Sequence, residues 1–240
     1  PTRRELMRGV AAGAVLLAMP ARALANGQAS GDDDWAPAEK ILARIQPPRF
    51  AKRQFDIRRY GAQAGDLART SDAISAAIAA CAREGGGRVV IPPGEWLTRG
   101  IRLKSGVELH VSGGATLRFS TNPEDFLPLV LSRFEGIECM NYAPPIYAYE
   151  AENVALTGAG TIDGQASWEN WWKWISRENK AIDVGRQDAQ QRLASMAERG
   201  VPAGQRIMGP GAYLRPSFVQ FYRCRNVLID GLTVKGSPMW

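Results

Sequence analysis

The chain has 240 residues, of which 45% are hydrophobic and 22% charged; this is enough apolar material for a sizeable core in one or two domains and excludes a chain disordered by composition. Thirty Lys and Arg stand against 24 Asp and Glu, a net charge of +6, yet no basic run exceeds two residues and none is interleaved with aromatics, which argues against nucleic-acid binding. Cys81, Cys139 and Cys224 form neither a spaced pair nor a metal cluster, so buried free thiols are expected, although an exported location would permit one disulfide.

Residues 1–25 read as a signal peptide. Arg3, Arg4 and Arg8 precede the uncharged run Gly9 to Met19, and Ala23-Leu24-Ala25 supplies a small-x-small cleavage site. Thr2-Arg3-Arg4-Glu5-Leu6-Met7 is similar to a twin-arginine export signal, so the expected location is the bacterial periplasm or exterior, with no membrane association once the signal is removed. Without this segment the net charge falls to +3.

Residues 26–48 follow as a linker and short helix. The linker contains Asp32-Asp33-Asp34, which reads as a solvated charge run, since a catalytic pair needs a rigid scaffold. A helical pattern then carries Trp35, Ala38, Ile41, Leu42 and Ile45, ending at Pro47-Pro48.

From residue 49 the pattern becomes one of short strands. Phe55-Asp56-Ile57 leads to Tyr60-Gly61-Ala62; next comes a helix capped by Thr70-Ser71-Asp72, with Ile74, Ala77, Ile78 and Cys81 on one face and Gly85-Gly86-Gly87 as its stop. That helix suits the role of a cover for the first rung of a stack. Strand-like runs Arg88–Ile91, Gly100–Leu103, Val107–Val111 and Ala115–Phe119 are separated by Pro-Gly and Gly-Gly breaks too short to hold helices. Asn153-Val154-Ala155-Leu156-Thr157-Gly158 recurs as Asn226-Val227-Leu228-Ile229-Asp230-Gly231, and each copy is followed by a second brief strand. One such unit cannot bury its own apolar face, so a β-solenoid is expected, with an antiparallel sandwich as the competing architecture.

Several of these segments, in this order, carry a resemblance. Gly85 to Gly94, Leu103-Lys104-Ser105, Gly113 to Leu117, Gly158 to Gly164, Trp171-Trp172, Leu214-Arg215-Pro216 and Ser237-Pro238-Met239-Trp240 together resemble glycoside hydrolase family 28, the polygalacturonases and their relatives. The resemblance implies an all-β, right-handed parallel β-helix over 49–240, with an N-terminal capping helix and a partly helical insertion. It also implies inverting hydrolysis of pectic polymers without metal or cofactor, with an acidic plant cell-wall polysaccharide or oligogalacturonide as partner and the protein acting as a monomer. That chemistry needs an acid and a base on opposite sides of the glycosidic bond. In the family these aspartates, in Asn-Thr-Asp and Asp-Asp segments, follow the Ser-Pro-Met-Trp motif along with Gly-His-Gly and Arg-Ile-Lys; none of them stands among the strands here. The chain is therefore expected to be a fragment, truncated at its C-terminal end and inactive as a hydrolase alone.

Site candidates are indirect. His110, the single histidine, reads as a rung residue and Asp163 as a partner of turn amides. Trp168, Trp171, Trp172 and Ile175 recur at helical spacing; the stripe packs a helix onto the solenoid or lends an indole to a sugar cleft. Ala189 to Arg199 reads as a polar helix. Arg215 either binds a substrate carboxylate through its guanidinium fork or satisfies carbonyls at the loop's return. Substrate-binding candidates are thus Arg215, Trp168, Trp171 and Trp172, and the long insertion 165–215 tilts the expectation toward exo action. A polysaccharide lyase and a non-catalytic carbohydrate-binding or adhesion β-helix remain the alternatives. The last rung, Leu232-Thr233-Val234, is expected to expose an unpaired edge and to aggregate or fray.

Overall fold

A computed structural model describes residues 36–239. The signal peptide and the Asp32–Asp34 run fall outside the described residues. The chain divides into two compact units, residues 1–45 and 46–240. Of the first, helix α1 (Ala36–Leu42) is described, with Glu39 in its first turn.

The second unit is a parallel β-helix. It begins with β1 (Gln54–Asp56), a 3₁₀ turn at Ile57–Tyr60 and α2 (Leu67–Arg83). One coil then holds β2 (Gly87–Ile91), β3 (Gly94–Thr98) and β4 (Ile101–Arg102). The next runs through β5 (Val107–Val111) and β6 (Ala115–Phe119), detours through an antiparallel hairpin, β7 (Val130–Phe134) and β8 (Ile137–Asn141), and closes with β9 (Ile146–Tyr149). A third has β10 (Glu152–Thr157) and β11 (Thr161–Asp163), a long excursion containing α3 (Lys180–Glu198), and β12 (Val219–Tyr222). β13 (Arg225–Asp230) and β14 (Thr233–Lys235) begin a fourth.

Stacking of equivalent strands gives three parallel sheets: β1-β2-β5-β10-β13, β3-β6-β11-β14 and β4-β9-β12. A sandwich is thereby set aside. In the first sheet Phe55, Val89, Leu109, Leu156 and Ile229 stand in one inward row, because a two-residue side-chain period sends every second residue to the core. Burying each such aliphatic side chain contributes roughly 2 kcal/mol.

The corners explain the glycines. Gly86 and Gly106 (φ 95° and 75°) precede β2 and β5, and at the equivalent turn of the next two coils Asn153 and Asn226 adopt φ of 53° and 55°. Asparagine tolerates this left-handed region, and here the Asn226 side-chain amide also donates to Asn153 Oδ1. At the next corner Gly158 (φ 117°) lies against the Val111 carbonyl, where a Cβ would overlap the oxygen.

α2 covers the first coil, burying Ile74, Ala77, Ile78 and Cys81 in the same core as Val89 and Leu109. It starts a turn before the expected cap: Asp66 accepts from Arg69 N at 3.0 Å, while Thr70 and Ser71 are buried inside the helix, their hydroxyls donating to the Gln63 and Leu67 carbonyls. Helix α3 likewise starts nine residues ahead of the expected Ala189, capped by Asn179. At the far side of the stack Val227, Ile229 and Val234 are 39%, 53% and 49% exposed. Burial pushes the thiols of Cys81 and Cys139 up to about 11, so both stay protonated.

Candidate functional site

Both excursions, 120–145 and 165–218, leave the stack at the same corner, between the β6-β11 sheet and the β9-β12 sheet. They are joined to each other. Met140 N donates to Arg206 O at 2.9 Å and Met208 N to Met140 O at 2.7 Å, and Phe134 and Cys139 of the hairpin share a core with Ala189 and Leu193 of α3 and with Leu214. The hairpin in turn rests on the third sheet, where Tyr147 Oη donates to the Leu131 carbonyl at 2.5 Å and Tyr222 Oη to Glu138.

This scaffold fixes Arg215. Leu214, its neighbour, is fully buried and gives its carbonyl to Asn141 Nδ2 at 3.0 Å, so the backbone entering Arg215 is held by the hairpin. Arg215 Nη1 donates to the Pro238 carbonyl at 2.7 Å. Burial and the nearby Arg186 pull its guanidinium below the usual value, but it stays charged at any ordinary pH.

Trp172 converges on the same strip of backbone. Its Nε1 donates to Ser237 O at 3.0 Å, while Ser237 Oγ donates to Met239 O at 2.5 Å and Phe218 N to the same carbonyl at 3.0 Å. Segments far apart in sequence, Trp171-Trp172, Leu214-Arg215-Pro216 and Ser237-Pro238-Met239, thus meet at one place.

Arg215 stands between two open cavities there. One, of about 400 Å³, is lined by Trp168, Trp172, Ile175, Arg215 and Ser237 to Met239. The other, of about 520 Å³, is lined by Arg133, Glu135, Gly136, Arg215, Ser217, Gln220 and Met239. Trp168 is 61% exposed and meets Trp172 edge to face, 6.2 Å between centroids. A free indole face beside a guanidinium fork is a combination that can take a sugar ring and its carboxylate together.

Three of the four sequence-derived candidates, Arg215, Trp168 and Trp172, are therefore brought together. Trp171 is not: at 1% exposure it packs against Phe126 and Trp174 in a separate core and offers no face to solvent. The helical stripe is a 3₁₀ turn, Trp171–Ile175, preceded by Trp168 in an irregular turn, and the three-residue period is what turns Trp171 and Trp174 inward together. Sequence reasoning missed Gln220, Arg133 and Glu135. Gln220 faces outward on β12 beside Tyr147, with a buried Oε1 that lacks a partner among the described residues; strand alternation could have located it had β12 been recognised.

Among the residues lining the two cavities Glu135 is the single carboxylate, so the acid and base that inverting hydrolysis demands are not both present there. His110 is a rung residue of the first sheet, its Nδ1 3.0 Å from Thr157 Oγ1. Asp163 accepts from the turn amide of Gln165 at 2.9 Å and pairs with Lys235 at 3.4 Å.

Comparison with solved structures gives the geometry a context. A hyperthermoactive exopolygalacturonase from Thermotoga maritima superposes with a TM-score of 0.78 at 45% identity, covering 84% of this chain and 46% of that one. Over most of its length the chain resembles polygalacturonases. The family 28 exopolygalacturonase of Yersinia enterocolitica (TM-score 0.53, 24% identity, 78% of this chain and 36% of that one) shares its fold. So does the polygalacturonase of Erwinia carotovora ssp. carotovora (0.50, 19%, 81% and 45%). The chain spans less than half the length of each. No family model and no curated protein matches it.

Proposed function

We propose that this chain is the N-terminal part of an exported glycoside hydrolase that cleaves polygalacturonate or a related pectic polysaccharide by inverting hydrolysis, without a cofactor. The observation that carries the reading is the 45% identity to an exopolygalacturonase over 84% of the chain. The paired catalytic carboxylates belong, on this reading, to residues outside these 240. What the chain supplies is the covered start of the stack and a wall built from two joined excursions.

Within that wall, Trp168 and Arg215 contact the substrate, the indole lying on a pyranose face and the free nitrogens of the guanidinium taking a uronate carboxylate. Trp172 acts indirectly, by fixing Ser237 and hence the position of Met239. The same wall closes one end of the groove, which favours release of monomer from a chain end.

The test is to express the natural reading frame that encodes these residues and assay it on polygalacturonate. Release of reducing ends with monomer as the product is expected; an unsaturated product, read by ultraviolet absorbance, points to a lyase instead. Full activity of residues 26–240 alone defeats the assignment of the catalytic carboxylates. Trp168→Ala in the active protein is expected to raise KM about tenfold or more with unfolding unchanged, as loss of a stacking face does.

A further inference from the structure

The outer face of the five-stranded sheet, from which neither excursion leaves, carries a separate cavity of about 490 Å³. Its floor is an outward row in register: Arg88 of β2, Glu108 of β5 and, beyond Ala155, Leu228 of β13. Its wall is the segment leading into β1, with Phe50, Lys52 and Arg53. Glu108 is buried and compensated, since it accepts from Arg88 Nε at 2.9 Å and from Thr157 Oγ1 at 2.7 Å. Among the described residues the other two cations have no such partner. Arg53 Nε donates to the Gly86 carbonyl at 3.3 Å, and Lys52, which is exposed, makes no side-chain hydrogen bond or ion pair among the described residues. The cavity thus holds two surplus positive charges next to two apolar side chains.

We propose that this cavity is a second, non-catalytic binding site for an anionic polysaccharide. Uronate carboxylates pair with Lys52 and Arg53, and a pyranose face lies against Phe50 and Leu228. The ligand class rests on the function proposed above; the site itself rests on the surplus charge beside the apolar side chains of Phe50 and Leu228. A polymer long enough to reach both the groove and this sheet would be held at two points, which raises its effective concentration at the groove without new contacts there.

The test uses the natural protein with Lys52→Glu, and with Lys52→Glu and Arg53→Glu together. Retention is measured by affinity electrophoresis in gels containing polygalacturonate, dextran sulfate or neutral dextran, beside hydrolysis of a galacturonate trimer too short to reach both sites. Retention by polygalacturonate is expected to weaken about threefold in the single variant and about tenfold in the double one, the scale of one and two exposed ionic contacts, with trimer hydrolysis unchanged. Because Lys52 is exposed and its side chain makes no hydrogen bond or ion pair among the described residues, the single variant reports even if the double one unfolds. Unchanged retention of the variants by polygalacturonate overturns the site and leaves the hydrolase reading standing. Equal loss of retention by dextran sulfate also overturns it, since the patch would then be an unselective cation surface. If the wild-type protein neither cleaves nor binds polygalacturonate, the site and the function fall together.

Discussion

β10 and β13 carry the same pattern, Asn-Val-x-aliphatic-x-Gly, with the same left-handed asparagine at its start and a glycine corner at its end, yet they live in opposite environments. In β10 Val154 and Leu156 are fully buried, while their register partners Val227 and Ile229 are 39% and 53% exposed. The strands differ in one respect that matters: β10 is stacked on both sides, by β5 and β13, whereas β13 has a neighbour on one side among the described residues. A rung of this fold has almost no stability of its own; it takes its burial from the coils above and below it. In a protein made of these 240 residues alone, each change made in β10 therefore has a twin in β13 that should cost much less.

The largest contrast is expected at the corner glycines. Gly158 has φ of 117°, and a Cβ there would overlap the Val111 carbonyl oxygen with no flexible atom to yield. Gly158→Ala should cost about 4 kcal/mol or more, or prevent folding, because strain and backbone clash add. Gly231→Ala, at φ 78° against the Gly158 carbonyl, should cost distinctly less, since the outermost coil can shift. Gly113→Ala is the control, its Cβ meeting nothing nearer than Ala159 Cβ at 3.8 Å. Urea unfolding of the three proteins gives the order, and equal losses at Gly158 and Gly231 would mean that the outer coil is as rigid as the inner one.

The aliphatic pair comes next. Leu156→Ala leaves a cavity in a closed core and should lower stability by about 3 to 4 kcal/mol, whereas Ile229→Ala at the half-open position should lose about 1 kcal/mol or less. Hydrogen exchange separates the same two strands without mutation, with slow exchange expected over 152–157 and faster exchange over 225–235. Equal protection of both segments would refute the expected fraying of the last rung.

How much of this was legible in the sequence follows from what each part needs. The coils were legible because a corner demands a residue that tolerates positive φ and a strand interior demands aliphatics, so Gly86, Gly106, Gly158 and Gly231 bracket their strands in plain view. The second excursion was legible as the insertion 165–215, but the first, and the full extent of α3, were not. The hairpin at 130–141 has no tight two-residue Asn-Gly or Asp-Gly signal, since its turn is Glu135-Gly136 with Glu135 itself at φ 46°. The early turns of α3 were hidden by Gly185 and by the exposed Val184, which break the apolar stripe. The site was half legible: the chemistry of Trp168 and Arg215 could be read from residue type, but their meeting could not. Arg215 reaches Pro238 across 23 residues, and Trp172 reaches Ser237 across 65, through a coil closure that local patterning does not encode. Trp171 misled because a helical spacing of indoles says nothing about which face is covered.

A smaller contrast lies in the asparagine pair. Asn153 accepts from the side chain of Asn226 while holding φ at 53°. Asn153→Ala removes both the acceptor and the residue type suited to that backbone, and should cost about 1 to 2 kcal/mol. Asn153→Gly restores the backbone preference and should recover part of the loss. If Gly is no better than Ala, the side-chain hydrogen bond dominates over the left-handed backbone.

The smallest effect expected is a pH dependence in the inner coils that the outer one lacks. His110 lies on the outward row between Val90 and Thr157, and burial, reinforced by Arg88 and opposed by Glu108, lowers its pKa below the usual 6.5. The folded state therefore favours the neutral ring, and the unfolded chain takes up a proton first. Stability from this group is complete above about pH 7 and declines as the pH falls through the ordinary imidazole range, until the folded protein is protonated too. His110 is the single histidine of the chain, so a stability slope between about pH 5.5 and 7 has one main source. His110→Gln can still meet Thr157 and carries no charge, so it should flatten that slope. The same slope in the variant would show that its source is not the rung histidine.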